Sequence, residues 1–210
     1  MRIVCKGVEP GSLRLYKRSN PNARYEDLSP TLRADIREAC VVEQFYLCAY
    51  CCQQISGEST DTMNEHVEAR KLAPSRSLDF TNIVASCRSA HQCDSAHGSQ
   101  HLPLTPFMDA CEREFEFGVS GRVKGSTERA KEAIRVLNLG DKEENNRRLI
   151  EMRKQLSYTL LLATGIDPDE GLDCDELLEV LIVDLSSPRE GRLEPFAPVV
   201  VSILRRWLSA

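Results

Sequence analysis

Apolar residues along the chain recur mostly with a helical period, and this pattern predicts the main elements. The first helix should begin at Ser29-Pro30, because serine is a favoured N-cap and proline fits the first helical position. Leu32, Ile36 and Cys40 follow at helical spacing, and the helix should continue to about Phe45. We interpret it as a scaffold that leads into the cysteine-rich stretch behind it.

The second half of the chain is predicted to be mainly helical after one short hairpin. Alternation and turn-forming glycines predict strands at Phe115 to Val119 and Arg122 to Lys124. Four helical stripes follow: Ala130 to Leu137, Leu149 to Ala163, Asp173 to Leu185 and Pro195 to Leu208. Residues 1–28 are rich in turn formers and predict an extended, basic arm. The predicted divisions are therefore this arm, a core at 29–104 and a helical region at 105–210, in an α+β fold.

Composition narrows the possible settings. In a chain of 210 residues, no apolar run reaches the roughly 18 residues that span a bilayer. The first residues lack the apolar segment of a signal peptide, which predicts a cytoplasmic protein without membrane contact. There, nine cysteines are expected to serve as metal ligands and free thiols rather than disulfides. The net charge of −5 argues against a protein that coats DNA through bulk electrostatics.

Two cysteine pairs have the spacing of a zinc site. Cys48 and Cys51 are separated by two residues, and Cys87 and Cys93 by five. Four thiolates are what a closed tetrahedral structural zinc site requires. The alternatives are that these are ordinary free thiols, or that Cys52 takes the place of Cys51.

A set of polar residues interleaved with the cysteines suggests hydrolytic chemistry. His66 is a candidate general base, since imidazole accepts a proton near neutral pH. Glu65 and Asp94 are hard oxygen ligands suited to Mg²⁺ or Mn²⁺, and Asn82 would hold the loop between two strands. His97, one helical turn after Asp94, would touch the metal or the phosphate. Taken singly, each residue has a plain alternative as a surface histidine, turn residue or N-cap.

In this order, the residues resemble the HNH endonuclease motif. Glu65-His66 would end a first strand, Asn82 would lie in the loop, and Asp94 would open a helix, inside the variant with two zinc-binding cysteine pairs. The resemblance implies a zinc-stabilised ββα-metal core that hydrolyses DNA with Mg²⁺ or Mn²⁺. Many members have lysine where His97 stands, so the resemblance leaves open whether His97 or Asp94 completes the metal site.

Weaker similarity extends over nearly the whole chain. The chain resembles the PtuB family, the HNH subunits of Septu antiphage defence systems, at Glu43-Gln44, Leu78-Asp79-Phe80, Cys93-Asp94 and Ile134 to Leu139. Members of this family also occur in retron-linked operons. This resemblance implies a partner, an ABC/SMC-like ATPase of the PtuA type, with the helical C-terminal region as a candidate docking surface. Two alternatives remain at this point: a zinc-ribbon binding module without catalysis, and a stand-alone restriction-type HNH nuclease. The sequence does not distinguish DNA from RNA as substrate.

Overall fold

Helices and two small antiparallel sheets make up the computed structural model, which describes residues 1–209; the α+β class predicted from the sequence is confirmed. The predicted C-terminal region includes residue 210, which lies outside the described residues. The strands are β1 (Thr62–His66), β2 (Ile83–Cys87), β3 (Phe115–Phe117) and β4 (Val123–Gly125). The helices are α1 (Gly11–Ser19), α2 (Pro30–Glu43), α3 (Asp94–His97), α4 (Cys111–Glu114), α5 (Glu128–Leu137), α6 (Glu143–Ala163), α7 (Asp175–Ser186) and α8 (Ala197–Leu208).

Helix α2 begins as the sequence predicts. The Ser29 hydroxyl accepts a hydrogen bond from the backbone N–H of Leu32 at 3.2 Å, which caps one of the free donors of the first turn. Ile36, Cys40 and Val41 are buried and pack the helix against β1 and β2. The helix therefore covers one face of the first sheet.

The first sheet and α3 form a strand–strand–helix unit. Strands β1 and β2 pair antiparallel, with Glu65 opposite Val84 and His66 opposite Ile83. Cys87 ends β2, and Cys93 immediately precedes α3. This pairing brings the end of β1 and the start of α3 to the same side of the sheet, where Glu65 and Asp94 interact.

Residues 1–28 differ from the prediction, because residues 11–19 are helical rather than extended. Leu13 is fully buried, so this helix has an apolar anchor. The turn formers that suggested an irregular arm lie at its two ends, with Pro10 before the helix and Asn20 after it. The backbone N–H of Val4 also donates to the Pro106 carbonyl at 2.7 Å, which joins the first residues to the C-terminal half.

The C-terminal half follows its predicted pattern. The hairpin β3–β4 is shorter than expected but correctly located, and α5 to α8 coincide with the four predicted helical stripes. The larger hydrophobic core draws on all three predicted divisions of the chain, since Leu13, Ile36, Leu137 and Phe196 belong to it. A smaller core lies where α6, α7 and α8 meet. None of the helices in residues 1–209 combines the length and hydropathy that crossing a bilayer requires.

Candidate functional site

Four buried cysteines form a cluster that could hold a metal. The sulfur atoms of Cys48, Cys51, Cys87 and Cys93 all lie within 4.8 Å of one another. The first two belong to a tight loop after α2, in which the N–H of Cys48 donates to the Gln53 carbonyl at 2.9 Å. The predicted donor set is thus brought together in space, and its four thiols suit tetrahedral coordination.

Cys52 lies outside this cluster, as expected. Its backbone has a positive φ of 65°, and its carbonyl accepts a hydrogen bond from Phe196 N–H at 2.9 Å. The side chain is buried, but its sulfur is not one of the four that lie within 4.8 Å of one another. Cys51, not Cys52, is therefore the partner of Cys48.

Donors around the cluster favour negative charge on sulfur. The backbone N–H of Cys87 donates to the sulfur of Cys48 at 3.2 Å, and the Gln92 amide nitrogen lies 3.7 Å from the sulfur of Cys87. Hydrogen bonds from the other three cluster thiols lower the pKa of Cys87, whereas burial raises the pKa of Cys93. The Cys87 thiol is therefore favoured to ionise, and metal binding would require the other three sulfurs to lose their protons as well.

Two carboxyl groups face each other at the junction of β1 and α3. Glu65 is buried and accepts hydrogen bonds from the Tyr50 hydroxyl at 3.2 Å and from the His66 N–H at 3.1 Å. Burial raises the pKa of Glu65. Burial, followed by the hydrogen bond and the charge of Glu65, raises the pKa of Asp94 to about 8. Near neutral pH the pair holds a proton, because two adjacent carboxylates repel each other unless a cation lies between them.

His97 lies beside this pair but does not form a compact ligand set with it. Its Nδ1 is 2.5 Å from Glu65 Oε1, and its side chain is fully buried. Among the described residues, the four cysteines are the only group of three or more candidate ligands whose donor atoms lie within 4.8 Å of one another. The structure thus places His97 against Glu65 rather than in a three-ligand cluster with Asp94. The reason is that His97 ends α3, where its ring turns inward toward Tyr50, 6.5 Å away between centroids.

His66 is held in one orientation by the loop that follows β1. Its Nε2 lies 2.9 Å from the Ser77 carbonyl oxygen, and the Tyr25 ring packs edge-on at 4.9 Å. Because a carbonyl only accepts, Nε2 carries the proton, and Nδ1 is left with a free lone pair. Burial lowers the pKa of His66, so the neutral imidazole predominates at pH 7. Such a ring is suited to accept a proton.

Asn82 fixes the ends of that same loop. Its side-chain oxygen accepts from the Glu68 N–H at 2.8 Å, and its amide nitrogen donates to the Glu68 carbonyl at 2.9 Å. The Asn82 carbonyl also accepts from Val67 N–H at 2.9 Å. These bonds tie the residues after His66 to the residues before β2, which is the positioning expected for Asn82.

Arginines surround the carboxyl pair in a groove of about 610 Å³. Glu65, His66 and Asp94 line the groove together with four arginines: Arg33 and Arg37 from α2, Arg70 after β1 and Arg88 after β2. Backbone carbonyls orient three of them, since Arg33 Nη2 donates to Glu26 at 2.9 Å, and Arg37 Nε donates to Gly57 and Arg88 Nη1 to Ser59, both at 2.6 Å. Arg70 forms an ion pair with the Glu26 carboxylate. Sequence reasoning missed these arginines because three segments that are distant in the sequence bring them together.

Sequence reasoning also missed the role of Gln44. This buried side chain donates to the carbonyls of Leu47 and Ala85 at 2.8 Å each, and accepts from Ala85 N–H at 2.7 Å. It thereby fastens the loop of Cys48 to the middle of β2. In the sequence, Glu43-Gln44 was noted only as part of the resemblance to the PtuB family, and no structural role was predicted for it.

No protein-family model matches the chain, and neither does any curated protein. The resemblance to HNH endonucleases therefore stays a prediction from the sequence motif.

Proposed function

We propose that this protein is a metal-dependent HNH-type endonuclease that hydrolyses DNA phosphodiester bonds. One observation carries the proposal: Glu65, His66 and Asp94 share one groove with four arginines. The strand–strand–helix unit that positions them supports the proposal, because a ββα-metal core would have this order of elements, with Asn82 holding its loop.

The carboxyl pair fits a hard divalent cation. Glu65 and Asp94 offer oxygen donors side by side, and the shared proton marks a site where positive charge is favoured. These two residues would hold Mg²⁺ or Mn²⁺, with water completing the coordination. The bound cation would offset charge on the scissile phosphate and on the leaving oxygen.

The chain's own residues supply proton transfer and positioning. His66 Nδ1 removes a proton from the attacking water as the water oxygen bonds to phosphorus and the bond to the leaving oxygen breaks. The Ser77 carbonyl keeps the ring in the required tautomer. His97 and the Tyr50 hydroxyl hold Glu65 in place from the buried side. The arginines of the groove bind phosphate oxygens, which compensates locally for the acidic whole chain.

The four cysteines bind structural zinc in this proposal. Four thiolates in a closed, buried cluster match zinc better than Mg²⁺ or Ca²⁺, which prefer oxygen. Cys87 ends β2 and Cys93 precedes Asp94, so zinc binding fixes both sides of the groove.

The setting in antiphage defence, with a PtuA-like ABC/SMC ATPase as partner, follows from the resemblance. One surface is consistent with a partner protein: α7 exposes Leu177, Val180 and Val183 on one face. Residues 167–184 contain eight acidic residues and no basic ones, so a partner with a basic rim would be complementary.

Plasmid cleavage tests the catalytic assignment. Zinc-loaded wild type should nick plasmid DNA in Mg²⁺ or Mn²⁺, and His66→Ala should lose activity by at least about 100-fold because the general base is gone. His101→Ala is the matched control, since His101 is an exposed histidine near the same unit. Zinc content should be unchanged in both variants, and His66→Ala should remain folded at the assay temperature although it loses its hydrogen bond to Ser77.

Other outcomes separate the alternatives. Equal cleavage by wild type and His66→Ala would refute the role of His66. If no protein cleaves alone, Mn²⁺ binding to wild type and to Glu65→Gln decides whether the cation site exists. Absence of Mn²⁺ binding would favour a zinc-stabilised binding module without catalysis.

A further inference from the structure

Helix α6 carries an arginine that is buried without an acidic partner. Arg153 is fully buried, and its guanidinium donates to the carbonyls of Gly121 at 2.8 Å and Leu139 at 3.0 Å. Its Nε has no hydrogen-bond partner within residues 1–209, and no carboxylate of that part of the chain forms an ion pair with it. The Phe117 ring, 5.0 Å from the guanidinium carbon, adds a cation–π contact.

A buried charge of this kind requires compensation. An isolated buried cation is strongly unfavourable, and backbone carbonyls supply only dipoles. The groups that favour the charge of Arg153 are the sulfurs of Cys51, Cys52 and Cys93, whereas burial opposes it and lowers the pKa of Arg153 to about 10. The geometry agrees, because Arg153 donates to the Leu139 carbonyl and Cys93 N–H donates to the Leu137 carbonyl at the same end of α5.

We propose that Arg153 is the counter-cation of the four-cysteine metal centre, and that α6 is therefore part of that centre. The inference rests on the proposed zinc. A divalent cation bound by four thiolates has a net charge of −2, and in this buried position it needs a positive group nearby. Arg153 meets that need from the C-terminal half of the chain.

A second contact joins α6 to the same centre. Asn146 has non-helical backbone angles, φ −155° and ψ 65°, inside α6. Its side chain donates to Gln92 Oε1 at 3.1 Å, while the Gln92 amide nitrogen lies against the sulfurs of Cys51 and Cys87. The kink thus lets α6 support the outer shell of the cluster as well as its charge balance.

The test compares the effect of removing this charge with and without zinc. Arg153→Met should weaken zinc binding about 10- to 100-fold in a chelator competition, the usual effect of removing a group that supports metal ligands without binding the metal. It should also lower the unfolding midpoint more in zinc-loaded than in metal-free protein. Without zinc the tetrathiolate centre with its charge of −2 is absent, so the guanidinium has less charge to offset. Arg153→Lys, which keeps the charge, should restore much of the zinc affinity.

Lys154→Met is the matched control, because Lys154 is the exposed neighbour on the same helix. Zinc affinity equal to wild type in Arg153→Met would overturn the proposal and leave Arg153 as a structural donor to Gly121 and Leu139. If wild type itself binds neither zinc nor Co²⁺, the zinc assignment fails first, and with it the premise of this inference.

Wild-type protein provides a second measurement should Arg153→Met fail to fold. On zinc removal, backbone hydrogen exchange should accelerate in α6 around Arg153, while α7, which belongs to the smaller core, should retain more of its protection. Equal behaviour of the two helices would count against the proposal.

Discussion

Replacing Asp94 by asparagine should stabilise the protein in the absence of divalent cations. Asparagine keeps the size of the side chain but removes the charge that opposes Glu65. A pKa of about 8 for Asp94, against an ordinary 3.8, corresponds to roughly 5–6 kcal/mol between the two protonation states. Because Asp94 is partly exposed to solvent, screening reduces the expected gain to about 1–3 kcal/mol.

The stability difference between Asp94→Asn and wild type depends on pH. A raised carboxyl pKa means that the folded state holds the proton more tightly than the unfolded state, so this contribution to stability is lost as pH rises from about 4 to about 8. At pH 9 wild type carries both charges, and Asp94→Asn should be the more stable protein. At pH 5 the difference should fall to about a third of its value at pH 9, since the folded state is then protonated at Asp94 while the unfolded state is already largely ionised there.

Urea unfolding of zinc-loaded protein, followed by circular dichroism at pH 5 and pH 9, measures the effect. Adding Mn²⁺ at pH 9 should stabilise wild type and leave Asp94→Asn nearly unchanged. Asp109→Asn serves as control, because Asp109 is exposed and away from the groove. If Asp94→Asn were less stable than wild type at pH 9 without cation, or gained equally from Mn²⁺, the carboxyl pair would not be a cation site.

Three further predictions test the surroundings of the site. Asn82→Ala should lower the free energy of unfolding by about 2–3 kcal/mol, because two hydrogen bonds to the Glu68 backbone are lost. Urea unfolding measures this change, and a value below about 0.5 kcal/mol would contradict the prediction. Gly121→Ala should destabilise the protein by more than about 3 kcal/mol, since the new Cβ would lie 2.2 Å from a carbonyl oxygen of α6 and the backbone φ is +79°. Gly165→Ala is the control, because Gly165 has a similar φ of +83° but open space around it, and it should cost only about 1 kcal/mol in the same assay. Mn²⁺ affinity should rise about tenfold per pH unit below pH 8, because Asp94 must release its proton; calorimetry at pH 6, 7 and 8 that shows no change would refute the linkage.

Local patterns predicted much of this fold because they report on nearest neighbours along the chain. The cap at Ser29, the stripes of α5 to α8 and the spacing of Cys48 and Cys51 are short-range features, and the structure has all of them. Helix α1 was missed because its turn-forming flanks outweighed the single apolar anchor at Leu13.

The parts that could not be predicted depend on contacts between distant segments. Arg33 and Arg88 reach one groove only because α2 and the end of β2 pack together. The orientation of His97 depends on Tyr50, which lies far from it in the sequence. Likewise, the sequence gives no reason to expect a buried Arg153, because its contacts to Gly121 and Leu139 exist only in the folded chain.

The shared hydrophobic core has a practical consequence for protein engineering. One hydrophobic core contains Leu13, Ile36, Leu137 and Phe196. The strand–strand–helix unit therefore cannot be excised and fused to another protein as an independent domain. A fragment restricted to residues 29–104 would lose α1, which packs against α2, together with core residues such as Leu137 and Phe196. Moving the proposed active site to a new scaffold would therefore require nearly the full chain, or polar replacements at the core positions that the fragment leaves exposed.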